Sequence, residues 1–516
     1  MEQKTPEGYF TKAAELQEQI LRGSFPESIR ESFQQLLEYY GQSPIIVRSS
    51  SLLEDDFGNA FAGKYESVFC ASQGTPQDRS EKFEQAVRQV YASMFDESAL
   101  TYRLQRGLDT RDEQMALLVQ RVSGSYHGRT FFPLAAGVAH SRNLYVWDSK
   151  LDPGAGAARL VYGLGTRAVD RVEGDYPKMV ALDQPQLSVH SSRDDERSYS
   201  QRQVDVLDLE DNSLKTVHLN DLLRNGCADD LSEVADIDWE QTRQLKELRI
   251  SHNEQWIVNF RKLLADGSLV AELHRIIRAL EDAYGWPVDI EFTINRSFDG
   301  RLMLSLLQCR PLQTRQLGAA VSFPNVYDKS RILLQSQGGF MGGNISINTD
   351  HVIYIDPVAY NRLSEQKRHQ TARIIGMAAR KLAASGDPKP VIMLIGPGRW
   401  GTSTPSLGIP VRFSEICDIS ILVEAAFEAA GMIPEISFGS HFFLDLVETG
   451  IFYIAVMPAK GETLYRPELL LSRDNRLNSL LPEWSEYQDV VHVIETIDRP
   501  LKLLSDISSQ RLLVIE

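Results

Sequence analysis

The residues best suited to handling phosphate lie in two stretches far apart in the chain. IIVRSSS (45–51) sets Arg48 at the end of an apolar, β-branched run and follows it with three hydroxyls. A guanidinium is always charged and offers phosphate a bidentate fork, and the serines add donors. The same arginine could instead close a turn by pairing with an acid of the next segment, where Glu54, Asp55 and Asp56 precede Gly58 and Gly63. The second stretch, PVDIEFTI and RLMLSLLQCR around Asp299-Gly300, reads as a β-hairpin. Alternation puts Asp289, Glu291 and Thr293 on one face of its first strand and Leu306, Gln308 and Arg310 on one face of its second. A carboxylate and an amide oxygen on neighbouring strands are hard ligands suited to Mg2+, which bridges nucleotide phosphates, and Arg310 would meet those phosphates. The alternative is an ordinary sheet with one solvated face.

Three further stretches contain glycines or a histidine at suggestive positions. GLGTRA (163–168) follows the strand RLVY and matches G-x-G-x-x-A, but no βαβ unit with a suitable acid surrounds it, which argues against a dinucleotide site. IGPGRWGTS (395–403) is a near miss to a P-loop: Thr402 stands where lysine is needed, so a Walker ATPase is not expected. An anion nest with Arg399 as its cation, or a plain tight turn, both remain open. FGSHFFLDLVE (438–448) sets Ser440 and His441 before an apolar helix, where a histidine is either structural or a phosphate acceptor.

The elements that must position these residues alternate between helix and strand. SFPESIRESFQQLLEYYG predicts a helix capped by Ser24, with Ile29, Phe33, Leu36, Leu37 and Tyr40 on one face and Gly41 as its stop; the strand 44–48 follows at once. A helix over 79–95 and a buried strand over 115–122 come next. Residues 188–238 are polar and read as an exposed connection or hairpin region, and helices are expected near 240–265 and 268–284. A boundary near residue 315 opens a second α/β portion with a helix over 358–385, the strand VIMLIG and a helix over 414–430. The fold class is therefore mixed α/β (α+β).

Composition limits the function classes. A chain of 516 residues is long enough for two or three domains, and its 43% hydrophobic and 24% charged shares are those of an ordinary globular protein. There is no long apolar run, and MEQKTPEGYF does not resemble a signal peptide, so no membrane association and a cytoplasmic location are expected. Cys70, Cys227, Cys309 and Cys417 lack the spacing of a disulfide scaffold or zinc site. A net charge of -16, from 54 basic and 70 acidic residues, argues against nucleic acid as a partner.

Taken in order, VRSS, LEDD, FAGKYESVF, LLVQRV, AGVAHS, GLG, DIEF and LLQCRP, over residues 44 to about 315, resemble the nucleotide-binding domain of the phosphoenolpyruvate synthase and pyruvate phosphate dikinase family. The resemblance implies an ATP-grasp fold whose two lobes clamp ATP and Mg2+. It implies that Arg48 holds ATP phosphates, that Gln120, Arg121 and Val122 form the hinge strand beside the adenine, and that Gly137, Gly163 and Gly165 line the cleft. Glu291 and Gln308 would carry Mg2+, with Arg310 on the transferring phosphate. The chain also departs from the family pattern. No glycine-lysine motif precedes VRSS in residues 1–43, and Lys64 is the nearest replacement by position. Thr166 stands where glutamate is common, and the interval from Glu291 to Gln308 calls for a β-bulge. The family's phosphohistidine motif is not recognisable after residue 315, and 318–516 is too short for its βα barrel.

The expected organisation is an N-terminal helical extension (1–43), an ATP-grasp domain (44–315) and a C-terminal α/β domain (316–516). The expected activity is ATP-dependent phosphotransfer to an unidentified acceptor, either a small molecule at the Arg399 loop or His441 as a relay. The alternatives are a non-catalytic ATP sensor and the nucleotide-binding subunit of a split synthase whose partner carries the phosphohistidine domain.

Overall fold

The computed structural model describes residues 8–51, 54, 65–105, 108–109, 111–143, 150–169, 175–188, 193–198, 200–226, 228, 230–249, 254–312, 321–324, 328–386, 389–402, 408–425, 446, 451–456, 463–507 and 509–516. It divides into two compact units: residues 1–141 with 157–313, and residues 142–156 with 314–516.

In the first unit, helix α1 (Glu27–Tyr40) ends at Gly41, whose φ of 62° suits a residue without Cβ. Its N-cap is Pro26 and not Ser24, and no side chain caps it. β1 (Ile45–Ser51) follows and is the middle strand of an antiparallel sheet, between β2 (Ser67–Cys70) and β3 (Met115–Arg121). Strand alternation sends Ile45 and Val47 into a core with Leu37, Phe83, Val87 and Val90, leaving Ile46 and Arg48 on the opposite face. Phe83, Val87 and Val90 come from α2 (Pro76–Ala92), which starts at a capping box formed by Thr75 and Asp78. β3 is not buried as expected: as an edge strand it leaves Ala116, Leu118 and Arg121 exposed.

A second antiparallel sheet of this unit has the order β8-β7-β4-β5-β6, formed by β4 (Ala135–His140), β5 (Ala157–Val161), β6 (Lys178–Ala181), β7 (Val288–Arg296) and β8 (Leu302–Pro311). Ile290, Phe292 and Ile294 of β7 join a core with Leu273 and Ile277 of helix α3 (Ser268–Tyr284). The intervening Asp289, Glu291 and Thr293 take the other face. Because β5 has antiparallel neighbours on both sides, the GLGTRA stretch after it does not belong to a βαβ unit. Two expectations are corrected nearby, the first only in its exposure, since the hairpin it allowed for is present. The polar stretch 188–238 contains a hairpin whose first strand, Gln203–Asp208, is largely buried, with Val204, Val206 and Leu207 in the core. Residues 240–265 are not one helix: Trp239–Glu247 is followed by the strand Trp256–Val258, and Phe260 in the left-handed region (φ 56°) separates that from the short helix Arg261–Leu264.

The second unit is built on a six-stranded sheet. β9 (His351–Ile355), β10 (Ile392–Pro397), β11 (Ile421–Ala425) and β12 (Phe452–Val456) run parallel and side by side, with β13 (Val491–Glu495) antiparallel outside β9. Helix α4 (Glu365–Ala383) packs on it through Ala372, Ile375 and Ala379. Where a helix over 414–430 is expected, a single turn (Phe413–Ile416) gives way to β11, with all five of its residues buried. A short apolar run covered on both faces is what a central parallel strand requires.

Candidate functional site

Two sheet faces of the first unit line one cleft. On the β1 sheet, register places Phe69, Ile46 and Gln120 in one cross-strand row and Ser67, Arg48 and Leu118 in the next on the same face. On the β7 sheet, Asp289 lies opposite Arg310 and His140, and Glu291 opposite Gln308 and Val138. A bulge between Glu291 and Phe292 makes Leu307 an extra residue and turns Gln308 toward the same side as Glu291. It also pairs Leu306 with Phe292, so Leu306 does not share a face with Gln308 as simple alternation predicts.

The cavity has a volume of about 540 Å³, within the range of small-molecule sites. Arg48, Gln120, Arg121, Val122, Gly137, Gly165, Glu291, Gln308 and Arg310 all line it, and Ile46, Phe69 and Leu164 contribute apolar wall. Gly163 is not among the lining residues; its φ of 97° and the nearness of Val204 and the Asp205 carbonyl account for the glycine. Gly137 leaves room for neighbouring strands, since a Cβ there would lie 2.3 Å from the Arg159 carbonyl oxygen. Lys64 and His441 lie outside the described residues, as do Asp55, Asp56, Gly58 and Gly63.

Arg48 bridges the two faces. Its Nη2 donates to Glu291 Oε2 at 2.8 Å and to Gln308 Oε1 at 2.5 Å. Among the described residues it pairs with no acid of the neighbouring segment: Glu54 there accepts from Ser49 Oγ at 2.8 Å and from the Ser51 N–H at 3.4 Å. Arg310 is anchored from behind, donating through Nε and Nη2 to Asp289 Oδ2, both at 2.9 Å. Burial pushes the Asp289 carboxyl up, but Arg310, His140 and Arg159 around it outweigh that and hold it below its ordinary range. Burial lowers the His140 imidazole, with Asp289 opposing and the two arginines reinforcing. The Arg159 guanidinium, also buried, is pushed down to about 10.

Glu291 and Gln308 fit Mg2+ in one respect that the geometry itself supplies: their oxygens converge on a point where a cationic nitrogen now sits. Among the described residues no group of three or more His, Cys, Asp or Glu is gathered for a metal. The protein would thus give a minority of the ligands, and waters and phosphate oxygens the rest, as is usual for this ion.

Alternation back from Arg48 points to Ile46, which sequence reading passed over. Phe69, His140 and Arg159 carry no such signal, because only strand pairing brings them to the cleft or its floor.

Residues 1–330 match the family described as pyruvate phosphate dikinase, AMP/ATP-binding domain. The chain belongs to this family. The family is an ATP-grasp-type α/β domain that binds ATP, and it points to ATP-dependent phosphotransfer. The chain is 22% identical over 318 residues to phosphoenolpyruvate synthase of Pyrococcus furiosus, covering 61% of this chain and 32% of that protein. It is 23% identical over 300 residues to the uncharacterized phosphotransferase YvkC of Bacillus subtilis, covering 57% of this chain and 28% of the relative. It is 25% identical over 193 residues to phosphoenolpyruvate synthase of Pseudomonas aeruginosa, covering 32% and 24%. The chain therefore spans less than a third of the length of these curated relatives. Among the described residues no helix is long and apolar enough to cross a membrane.

Proposed function

We propose that the chain is an ATP-dependent phosphotransferase of the kinase or dikinase type, with residues 44–315 as the nucleotide-binding domain, 1–43 as its helical extension and 316–516 as a C-terminal domain. The observation that carries this reading is the convergence of Arg48, Glu291 and Gln308 at 2.5 to 2.8 Å beside Arg310 in one cavity. Phosphoryl transfer asks mainly for positioning and charge neutralisation, which such a set supplies. The base rests against Ile46, Phe69, Val122 and Leu164, and the phosphates extend toward Arg48 and Arg310. Glu291 and Gln308 would hold Mg2+, which when bound offsets phosphate charge, while Arg48 turns from those two oxygens to the phosphate. Asp289 fixes the direction of Arg310.

Purified protein incubated with Mg-ATP, with and without pyruvate, and followed by phosphorus NMR tests the proposal. Loss of ATP and appearance of AMP or ADP is expected, and the product identifies dikinase or simple kinase chemistry. Intact ATP in the presence of a broad acceptor panel would remove the transferase reading. The Arg48–Glu291 pair favours one second reading, a nucleotide sensor: ATP breaks that pair, and its rupture is the signal. Tight ATP binding without turnover distinguishes the sensor.

A further inference from the structure

One wall of the cavity belongs to neither sheet that flanks it. After β5 the chain leaves the ladder, and Leu164, Gly165 and Thr166 line the cavity from a turn. This turn is fastened to the antiparallel hairpin of Gln203–Asp208 and Ser213–His218. Alternation sends Val204 and Val206 into the core and leaves Gln203 and Asp205 on the other face, with Thr216 directly opposite Asp205. Asp205 then meets the wall at three points. Its carbonyl accepts from the Leu164 N–H at 2.9 Å, its Oδ2 from Thr166 Oγ1 at 2.7 Å, and its Oδ1 from Arg167 Nε at 3.0 Å. Arg167, which is buried, also donates to Asp175 Oδ2 at 2.6 Å and to Gln203 Oε1 at 3.0 Å. Asp175 Oδ1 accepts from the Gln203 N–H at 3.2 Å, so the clamp ends on the main chain of the hairpin. The Gln201 amide fixes the start of the wall, accepting from the Tyr162 N–H and donating to the Tyr162 carbonyl, both at 2.8 Å.

We propose that Asp205 and Arg167 are positioning residues for nucleotide binding: they hold the Leu164–Thr166 wall where the base rests, although neither lines the cavity. This rests on the nucleotide reading and adds which part of the nucleotide the wall serves. Arg48 stands on β1 and Arg310 on β8, so the groups that face the phosphates do not hang from this turn. Leu164 does, and the clamp therefore acts on the base. Stability alone does not call for such a cluster, because replacing a buried ion pair by packed apolar residues is often neutral or stabilising. What charge-assisted hydrogen bonds add is a set direction at each atom. Here those directions converge on Leu164, Thr166 and Arg167, which gives the Thr-Arg pair of GLGTRA a role that glycine spacing does not reveal.

The test compares two probes by calorimetry on the full chain, each with Mg2+: a non-hydrolysable ATP analogue and inorganic tripolyphosphate, which has no base. The wild type is expected to bind both. Arg167→Lys keeps the charge but loses the planar fork, and Asp205→Asn sets an amide N–H2 against a group that donates. Each should weaken the analogue by about tenfold or more and leave tripolyphosphate within about twofold. Thr166→Val, which keeps the shape and removes the hydroxyl, should show the same split to a smaller degree, and Thr166→Ser should restore wild-type affinity. Unchanged analogue affinity in folded Arg167→Lys and Asp205→Asn chains overturns the proposal and leaves the cluster purely structural. Equal loss of both probes overturns it as well, because the damage then spreads through the whole cleft. If neither of these variants folds, Thr166→Val decides, and unchanged analogue affinity there overturns the proposal. A wild type that binds neither probe removes the nucleotide reading itself, a failure distinct from a wild type that binds both while its variants do the same.

Discussion

The cleft around Arg48 and the glycine loop after β10 both set an arginine beside small residues, but they use it in opposite ways. At the cleft, the Arg48 side chain keeps 16% of its exposure and reaches its partners across a cavity. In the loop, Arg399 is 2% exposed and Trp400 fully buried. The Trp400 indole Nε1 donates to the Val423 carbonyl at 3.0 Å, and its backbone N–H donates to Glu424 Oε1 at 3.0 Å. Tyr453 Oη donates to the other oxygen of that carboxylate at 2.5 Å. A Cβ on Gly396 would come within 2.5 Å of the Trp400 ring, so this glycine seats a tryptophan. Glycine spacing tells where backbone is approached closely; whether a ligand or a side chain approaches depends on what the next strand brings.

This contrast can be broken most sharply at Glu291. Glu291→Ala should abolish Mg-ATP turnover, a loss of at least about a hundredfold, while the circular dichroism spectrum stays native. Unaltered turnover would strip the cleft of its metal assignment and make it no more functional than the loop. Trp400→Ala should do the reverse, costing about 3–5 kcal/mol of stability in urea melts and leaving ATP affinity within about twofold. If ATP affinity fell instead, the loop would be part of the nucleotide site. Glu424→Gln should have a smaller effect of the same kind, about 1–3 kcal/mol, because the amide can accept from only one of the two donors. A stability change near zero would mean that Trp400 alone holds the loop.

Local pattern explains which parts of this were legible. α3 matches its expected span, since Gly267, Gly285 and a clear apolar stripe bound it. The hairpin of β7 and β8 was legible from alternation and the Asp299-Gly300 turn, and the excess length between Glu291 and Gln308 already called for the bulge that the register contains. ILVEA of β11 was misread because a short apolar run is compatible with helix or strand until burial on both faces decides it. The individual arginines were visible, but not their partners: Arg48 meets Glu291 across 243 positions. No local pattern encodes that.

The smallest effect asks whether the two units differ in anything other than the cleft. Burial pushes the Cys70 thiol of the first unit up to about 11, with Lys82 opposing. Burial, aided by Asp418 and opposed by Lys389 and Arg380, does the same to Cys417 of the second, also to about 11. In the unfolded chain a thiol ionises near 9, so each contribution is fully present below that pH and is lost as the pH rises toward 11, because only the unfolded chain gives up its proton. The slope is at most about 1.4 kcal/mol per pH unit for each thiol. Urea melts between pH 8 and 10.5 should show Cys70→Ala and Cys417→Ala flattening the alkaline fall by similar amounts. Equal flattening would mean that the two cores exclude water alike, leaving the open, charged cavity as what sets the first unit apart; a flat response in one variant alone would mean that its core admits water and that the contrast reaches beyond the cleft.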